Sequence, residues 1–318
     1  MINISQTRNL PEGAVLVRSI LVATPNALTT SVPSVLLARL SAYWQLSKPR
    51  LALLVWLSAL ASMWLPQVAF PASLLLAFAA GVWLVIASAN GWNQVLEWRH
   101  DARMRRTATR PIPSGKICPK EAAIVSTLWG VAGTSVLWFA VNPLTALLGA
   151  FAMLMYVTVY TPMKRVSPWC TVVGAVAGAI PPAAGWTAVE GFLGWQAVLL
   201  FTVQFLWQFP HFWAIAWKYR QEYREAGFYM VPFHDDEGFL VGKMMWLLSL
   251  ALLAVSMIPF LTGWRSGFYA AGALLLGLWL ARSAQSFMRQ PDGKQAMRVM
   301  FTSLGYLPLW LLLLILVY

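Results

Sequence analysis

Nine stretches of about 20 apolar residues run through this chain of 318 residues, and a stretch of that length has few places to go. It is long enough to cross the hydrocarbon core of a bilayer as a helix. In lipid, every backbone N–H and C=O must find its partner within the element or in a closed barrel. The stretches cover residues 51–70, 71–91, 122–141, 144–160, 168–189, 193–213, 241–261, 268–287 and 299–318. None shows the alternation of a barrel strand. Only 11% of residues are charged, against about 25% in soluble domains. The expectation is an all-α, polytopic integral membrane bundle with nine transmembrane helices, spanning residues 46–318. Residues 1–45, broken by Arg18, Pro25, Pro33 and Arg39, read as a mobile or membrane-surface tail.

The formal charge of +12 resembles a nucleic-acid footprint until its placement is read. Arg8, Arg18, Arg39, Lys48 and Arg50 precede the first stretch, and seven basic residues lie between Arg99 and Lys120. Lys164 and Arg165, then Lys218, Arg220, Arg224 and Lys243, then Arg282, Arg289, Lys294 and Arg298, occupy every second connection. The intervening connections hold only Arg265. This is the positive-inside pattern. It predicts a multi-pass protein of the cytoplasmic membrane with a cytoplasmic N-terminus, a C-terminus on the far side and no nucleic-acid partner. Cys118 and Cys170 show neither metal-ligand spacing nor a disulfide pattern.

One polar run breaks the apolar rule: Asn93, Glu97 and Asp101, then Met104, Arg106, Thr107, Arg110 and Pro111. Steps of four drift about 40° and rise about 6 Å along a helix, so the first three share one face. A solvated helix end is the bland reading. Acids where a helix leaves lipid are functional by default, and two carboxylates with an amide are hard ligands suited to Mg²⁺ carrying phosphate. The following arginines suit the phosphates themselves.

A second polar extension starts at Gln208-Phe-Pro-His211 and runs through Lys218, Tyr219, Arg220, Glu222 and Tyr223. As one continuous helix it would place His211, Lys218 and Glu222 within about 40° of one face. Prolines are expected at span starts, at Pro71, Pro143, Pro168 and Pro210, and the Pro181-Pro182 pair is expected to break its span. Gly174 and Gly178 read as a close-packing pair.

Together the strings NQVLEWRHDARMRRTATRPIPSG, YTPMKRVSPWCTVVGAVAGAIPPAAGW and QFPHFWAIAWKYRQEYREAGF resemble the UbiA superfamily of intramembrane prenyltransferases, and within it the branch that farnesylates haem b. The resemblance covers residues 47 to the C-terminus. It departs from the branch's usual pattern at Cys170 for Asn, Glu222 for Asp and Tyr229 for Pro. It implies transfer of a farnesyl group from farnesyl diphosphate to a vinyl group of haem b, giving haem O, whose hydroxyl comes from water, for terminal oxidases. Mg²⁺ is the implied cofactor, and the implied partners are the two substrates, the lipid bilayer and a downstream haem-modifying enzyme, haem A synthase.

Asn93, Glu97 and Asp101 would hold the metal, and Arg106, Arg110, Lys164 and Arg165 the diphosphate. The rings of Tyr160, Phe212 and Trp186 would shelter the allylic cation. His211 would approach the haem iron, meet a propionate or orient water. Lys218, Tyr219, Arg220 and Glu222 complete the haem side. The rival readings are a prenyltransferase for a quinone or chlorophyll precursor and a multi-span transporter. The first would carry a second Asp-rich motif, and the second a polar site near the bilayer midplane.

Overall fold

The structure, a computed structural model, describes residues 32–231 and 235–317. Most of the expected tail, residues 1–31, lies outside the described residues. The chain divides into two compact units, Met1–Ser41 and Ala42–Tyr318, and the second carries the site described below. Among the described residues there are helices and no strands.

Helix α1 (Val32–Leu46) is followed by α2 (Pro49–Ser62), α3 (Ala72–Asp101), α4 (Pro119–Ala140), α5 (Pro143–Met163), α6 (Cys170–Glu190) and α7 (Trp195–Lys218). The short α8 (Arg220–Glu225) leads to α9 (Phe239–Leu261), α10 (Gly267–Arg289) and α11 (Gly293–Leu316). Eight of these, α3 to α7 and α9 to α11, are long and apolar enough to cross a bilayer.

The first expected span differs. Its helix stops at Ser62 after 14 residues, about 21 Å, well short of the roughly 30 Å core. Turns through residues 63–66 and an irregular segment to Phe70 fill the rest of the expected stretch, where Pro66 and the left-handed Gln67 disfavour helix. The bundle therefore comprises eight full-length helices and one short apolar helix.

Prolines open α2, α4 and α5, where the missing N–H has no helical partner to lose. Asn142 Oδ1 and Asp292 Oδ1 cap α5 and α11 by accepting from Thr145 N (2.8 Å) and Gln295 N (2.7 Å). Glycine permits the closest crossings. A Cβ at Gly133 would lie 2.8 Å from Gly81 O, where α4 meets α3. One at Gly185 would lie 2.0 Å from Ala59 O, where α6 meets α2. The outward faces are apolar, with Phe139 85% exposed; a surface of this kind is stable in lipid and not in water.

Three local expectations are corrected. Helix α6 runs unbroken through Pro181 and Pro182. Two backbone bonds are lost there, and neighbouring helices support such prolines in a bundle. Pro210 lies inside α7 rather than at its start. The second polar extension is not one helix: the backbone leaves helical geometry at Tyr219 (φ −106°, ψ 21°), separating Lys218 on α7 from Glu222 on α8.

Candidate active site

With 30 residues, α3 is about 45 Å long, so its last turns project beyond a bilayer core. Those turns carry the polar stripe, and its side chains face inward: Asn93, Glu97 and Asp101 are each no more than 3% exposed. Asn93 Nδ2 donates to Glu97 Oε2 (2.9 Å) and to Thr161 Oγ1 (3.2 Å). Thr161 follows a π-helical turn, Met155–Tyr160, near the C-terminal end of α5, and its hydroxyl returns to Tyr156 O (2.8 Å). Such bulges re-aim side chains and favour functional sites.

Three basic side chains converge on the stripe. Lys164 Nζ lies 2.9 Å from Glu97 Oε1 and 3.2 Å from Oε2. Arg110 Nη1 meets Asp101 Oδ2 at 2.6 Å. The loop after α3 folds back to place it, with Thr107 Oγ1 donating to Asp101 O (2.8 Å) and Met104 buried against Ala226 and Phe228. Lys48 Nζ donates to Asn93 Oδ1. Its position follows from α3 as well, since Asn90 Nδ2 and Gln94 Nε2 hold the carbonyls of Ser47 and Leu46 (each 2.8 Å). Burial pushes the Lys48 ammonium well below the usual lysine range, and Arg110 and Lys164 push the same way. Burial is the largest single influence on Lys164 and acts against its charge, but Glu97, Tyr160 and Tyr156 together raise its pKa.

Below this cluster lies a largely apolar cavity of about 270 Å³ between α2, α3, α5, α6 and α7. It reaches Asn90, one turn from Asn93, and Tyr160, whose ring lies 4.5 Å from Lys164 Nζ. The polar cluster thus closes one end of an apolar chamber. Gly174 admits the Tyr160 ring, where a Cβ would sit 2.7 Å from it. Phe212 and His211 enter from α7. The His211 ring stacks on Trp207 (4.9 Å), and its Nδ1 lies 2.9 Å from Ser303 Oγ on α11.

The remaining expected residues are more scattered. Arg106 reaches Tyr223 OH (3.1 Å) and lies over the Tyr219 ring (5.8 Å), tying the loop after α3 to α8. Arg165 is half-buried in the loop after α5, and Lys218 is exposed. Arg220 stacks on Trp217 (4.0 Å) and donates to its carbonyl (3.0 Å). Glu222 is half-buried on α8. Lys218, seven residues on along α7, keeps the face of His211, whereas Glu222 lies on α8 beyond the break at Tyr219. Trp186 lines no part of the cavity and packs edge-on against Trp264 (6.1 Å). Of the departures from the family pattern, Tyr229 uses an N–H that proline lacks, donating to Lys164 O (2.8 Å), and Cys170 lies beside it, with Sγ 3.9 Å from Tyr229 O.

The donor set fits a hard divalent cation. Glu97 and Asp101 are inward-facing carboxylates, now balanced by Lys164 and Arg110. No group of three or more His, Cys, Asp and Glu forms a metal cage among the described residues. One or two carboxylates completed by phosphate oxygens is the arrangement Mg²⁺ favours.

The UbiA prenyltransferase family model matches residues 54–305, taking in the stripe, the cavity and His211. The chain belongs to the UbiA prenyltransferase family. It is similar to the protoheme IX farnesyltransferase of Opitutus terrae, with 39% identity over 86% of this chain and 92% of that one. It is similar also to that of Solibacter usitatus, with 38% identity over 84% and 95%. The fold resembles that of a digeranylgeranylglyceryl phosphate synthase (TM-score 0.73, 16% identity, 87% of this chain and 97% of that one). A UbiA homologue from Archaeoglobus fulgidus bound to DMAPP and Mg²⁺ is also similar (TM-score 0.67, 14% identity, 86% and 99%). The chain is a membrane-embedded prenyltransferase with the family's fold.

Lys48, Thr161, Gln204 and Gln208 belong to the site but carried no role in the sequence reading. Lys48 is hidden among topology-setting charges. The two glutamines are the legible omission, since amides within a membrane helix signal function.

Proposed function

We propose that this prenyltransferase moves a farnesyl group from farnesyl diphosphate to a vinyl group of haem b, giving haem O. The observation that carries the reading is the apolar chamber closed by two carboxylates and three basic side chains: a chamber for an isoprenoid, with a diphosphate site at its mouth. The names of the relatives supply the acceptor. Residues 46–318 form the catalytic domain, in the cytoplasmic membrane, with a cytoplasmic N-terminus and the C-terminus opposite. A downstream haem-modifying enzyme, haem A synthase, receives the product.

In this reading Glu97 and Asp101, with Asn93 Oδ1, hold Mg²⁺. When bound, the ion neutralises charge on the departing diphosphate. Lys164 and Arg110 exchange their carboxylates for diphosphate oxygens, with Arg suited to a two-pronged grip. Arg106 and Arg165 stand behind them on the same side of the bundle. The ring faces of Tyr160 and Phe212 shelter the allylic cation, a contact worth about 0.5–2 kcal/mol per ring. His211 is the cavity's imidazole on the haem side, while Lys218, Tyr219, Arg220 and Glu222 lie around the cavity's cytoplasmic approach, where the haem propionates enter.

The test is direct. Membranes containing the protein are incubated with haem b, farnesyl diphosphate and Mg²⁺, and the haems are separated by chromatography and mass. A farnesylated, hydroxylated haem is expected. Prenylation of a quinone or chlorophyll precursor in its place would reassign the acceptor, and no consumption of farnesyl diphosphate with any acceptor would refute the donor.

A further inference from the structure

Helix α7 turns a polar stripe into the cavity, and the steps above leave its two amides unused. Gln204, Gln208 and His211 stand at i, i+4 and i+7, and all three line the cavity. Both amides are 3% exposed. Gln208 Nε2 donates to the carbonyls of Ala175 (2.9 Å) and Gln204 (3.1 Å). That leaves Gln208 Oε1 over Gly178, where an added Cβ would lie 2.2 Å from it. Gln204 Oε1 is buried and meets no donor among the described residues.

A buried acceptor without a donor is costly, and each such group in a folded protein calls for an explanation, an unseen water foremost. The two amides stand one helical turn apart on the same face. A water donating to both amide oxygens would have the 2–4 polar partners that buried waters keep. Its lone pair would remain free toward the cavity.

We propose that Gln204 and Gln208 hold the water that supplies the product's hydroxyl, and that His211 accepts its proton. This rests on the farnesyl-transfer reading. When diphosphate leaves, the vinyl π electrons form the bond between farnesyl C1 and the terminal vinyl carbon. The positive charge then sits on the adjacent carbon, beside the pyrrole. The water oxygen bonds that carbon, its O–H electrons stay on oxygen, and the proton passes to His211 Nε2. Nothing is oxidised or reduced. His211 Nδ1, lying against Ser303 Oγ, orients the ring for this. Without a held water, the same cation sheds a proton from the neighbouring carbon and ends as an alkene, lighter than the normal product by one water.

Gln204→Leu keeps the volume and removes the acceptor. In membranes carrying the full chain, with haem b, farnesyl diphosphate and Mg²⁺, mass analysis reads the ratio of hydroxylated to alkene product. That ratio is independent of total rate. It is expected to fall about tenfold in Gln204→Leu, the scale of one lost hydrogen bond. Gln204→Glu, which keeps an acceptor, is expected to restore it. Should Gln204→Leu not accumulate in membranes, Gln204→Met carries the same measurement. An unchanged ratio in the apolar variant overturns the water site while farnesylated haem is still made. Wild-type membranes that make no farnesylated haem overturn the farnesyl-transfer reading itself.

Discussion

Glu97→Gln separates what the buried carboxylate does for folding from what it does for chemistry. The amide keeps the size of Glu97 and an oxygen for Asn93 Nδ2, which donates to it at 2.9 Å. It loses the charge opposing Lys164 Nζ at 2.9 Å. A hydrogen bond to a charged group contributes about 1.5–3 kcal/mol. With the Lys164 side chain only 12% exposed, water recovers little of this, so a destabilisation of about 2 kcal/mol is expected. The effect on turnover should be larger and of different origin. Removing one preorganised charge from a site that neutralises a leaving group costs about 10²–10³ in rate. The double variant Glu97→Gln/Lys164→Met removes the orphaned ammonium and should regain stability without regaining turnover, the signature of coupling in a double-mutant cycle. Stability is read as thermal unfolding in detergent, and turnover as haem O formed per amount of protein in membranes. Turnover of Glu97→Gln within about threefold of wild type, at normal abundance, would remove the α3 stripe from the mechanism; the expected loss is set by the same scale.

Gly174→Val should drive a side chain into the Tyr160 ring, which an added Cβ would already meet at 2.7 Å. A loss of about 1–3 kcal/mol is expected, with weaker farnesyl diphosphate binding. Gly267→Ala, which meets nothing within 4 Å, is the control, and equal behaviour of the two would contradict the packing argument. His211→Ala should shift the product from the hydroxylated haem toward the alkene while farnesyl diphosphate binding survives; an unaltered product ratio would make His211 a core residue. Single cysteines at Arg103, Glu225 and Lys294, in a Cys118→Ser background, should react with an impermeant reagent only from the cytoplasmic side, and one at Ser266 only from the other. Labelling of Lys294 and Ser266 from the same side would break the expected topology.

The sequence by itself determined what depends on local periodicity and composition. Apolar runs of membrane length imply helices because lipid offers the backbone no other partner, and eight of the nine expected helices have full length. The four-residue spacing put Asn93, Glu97 and Asp101 on one face, since that follows from helical geometry alone. Contacts over long separations were decided by tertiary structure. Lys48 reaches Asn93 across 45 residues, and Lys164 reaches Glu97 across 67. No local rule distinguishes these lysines from the topology-setting charges around them. Local rules also misjudged elements that their neighbours support: α6 continues through Pro181-Pro182, and α7 ends at Tyr219 rather than carrying His211, Lys218 and Glu222 on one face. Trp186 shows the same limit, since an aromatic ring in a membrane helix serves packing or a cavity according to which way its helix is turned. That rotation is set by where the glycines of α6 let its neighbours approach: Ala59 of α2 at Gly185, Tyr160 of α5 at Gly174 and Gln208 of α7 at Gly178.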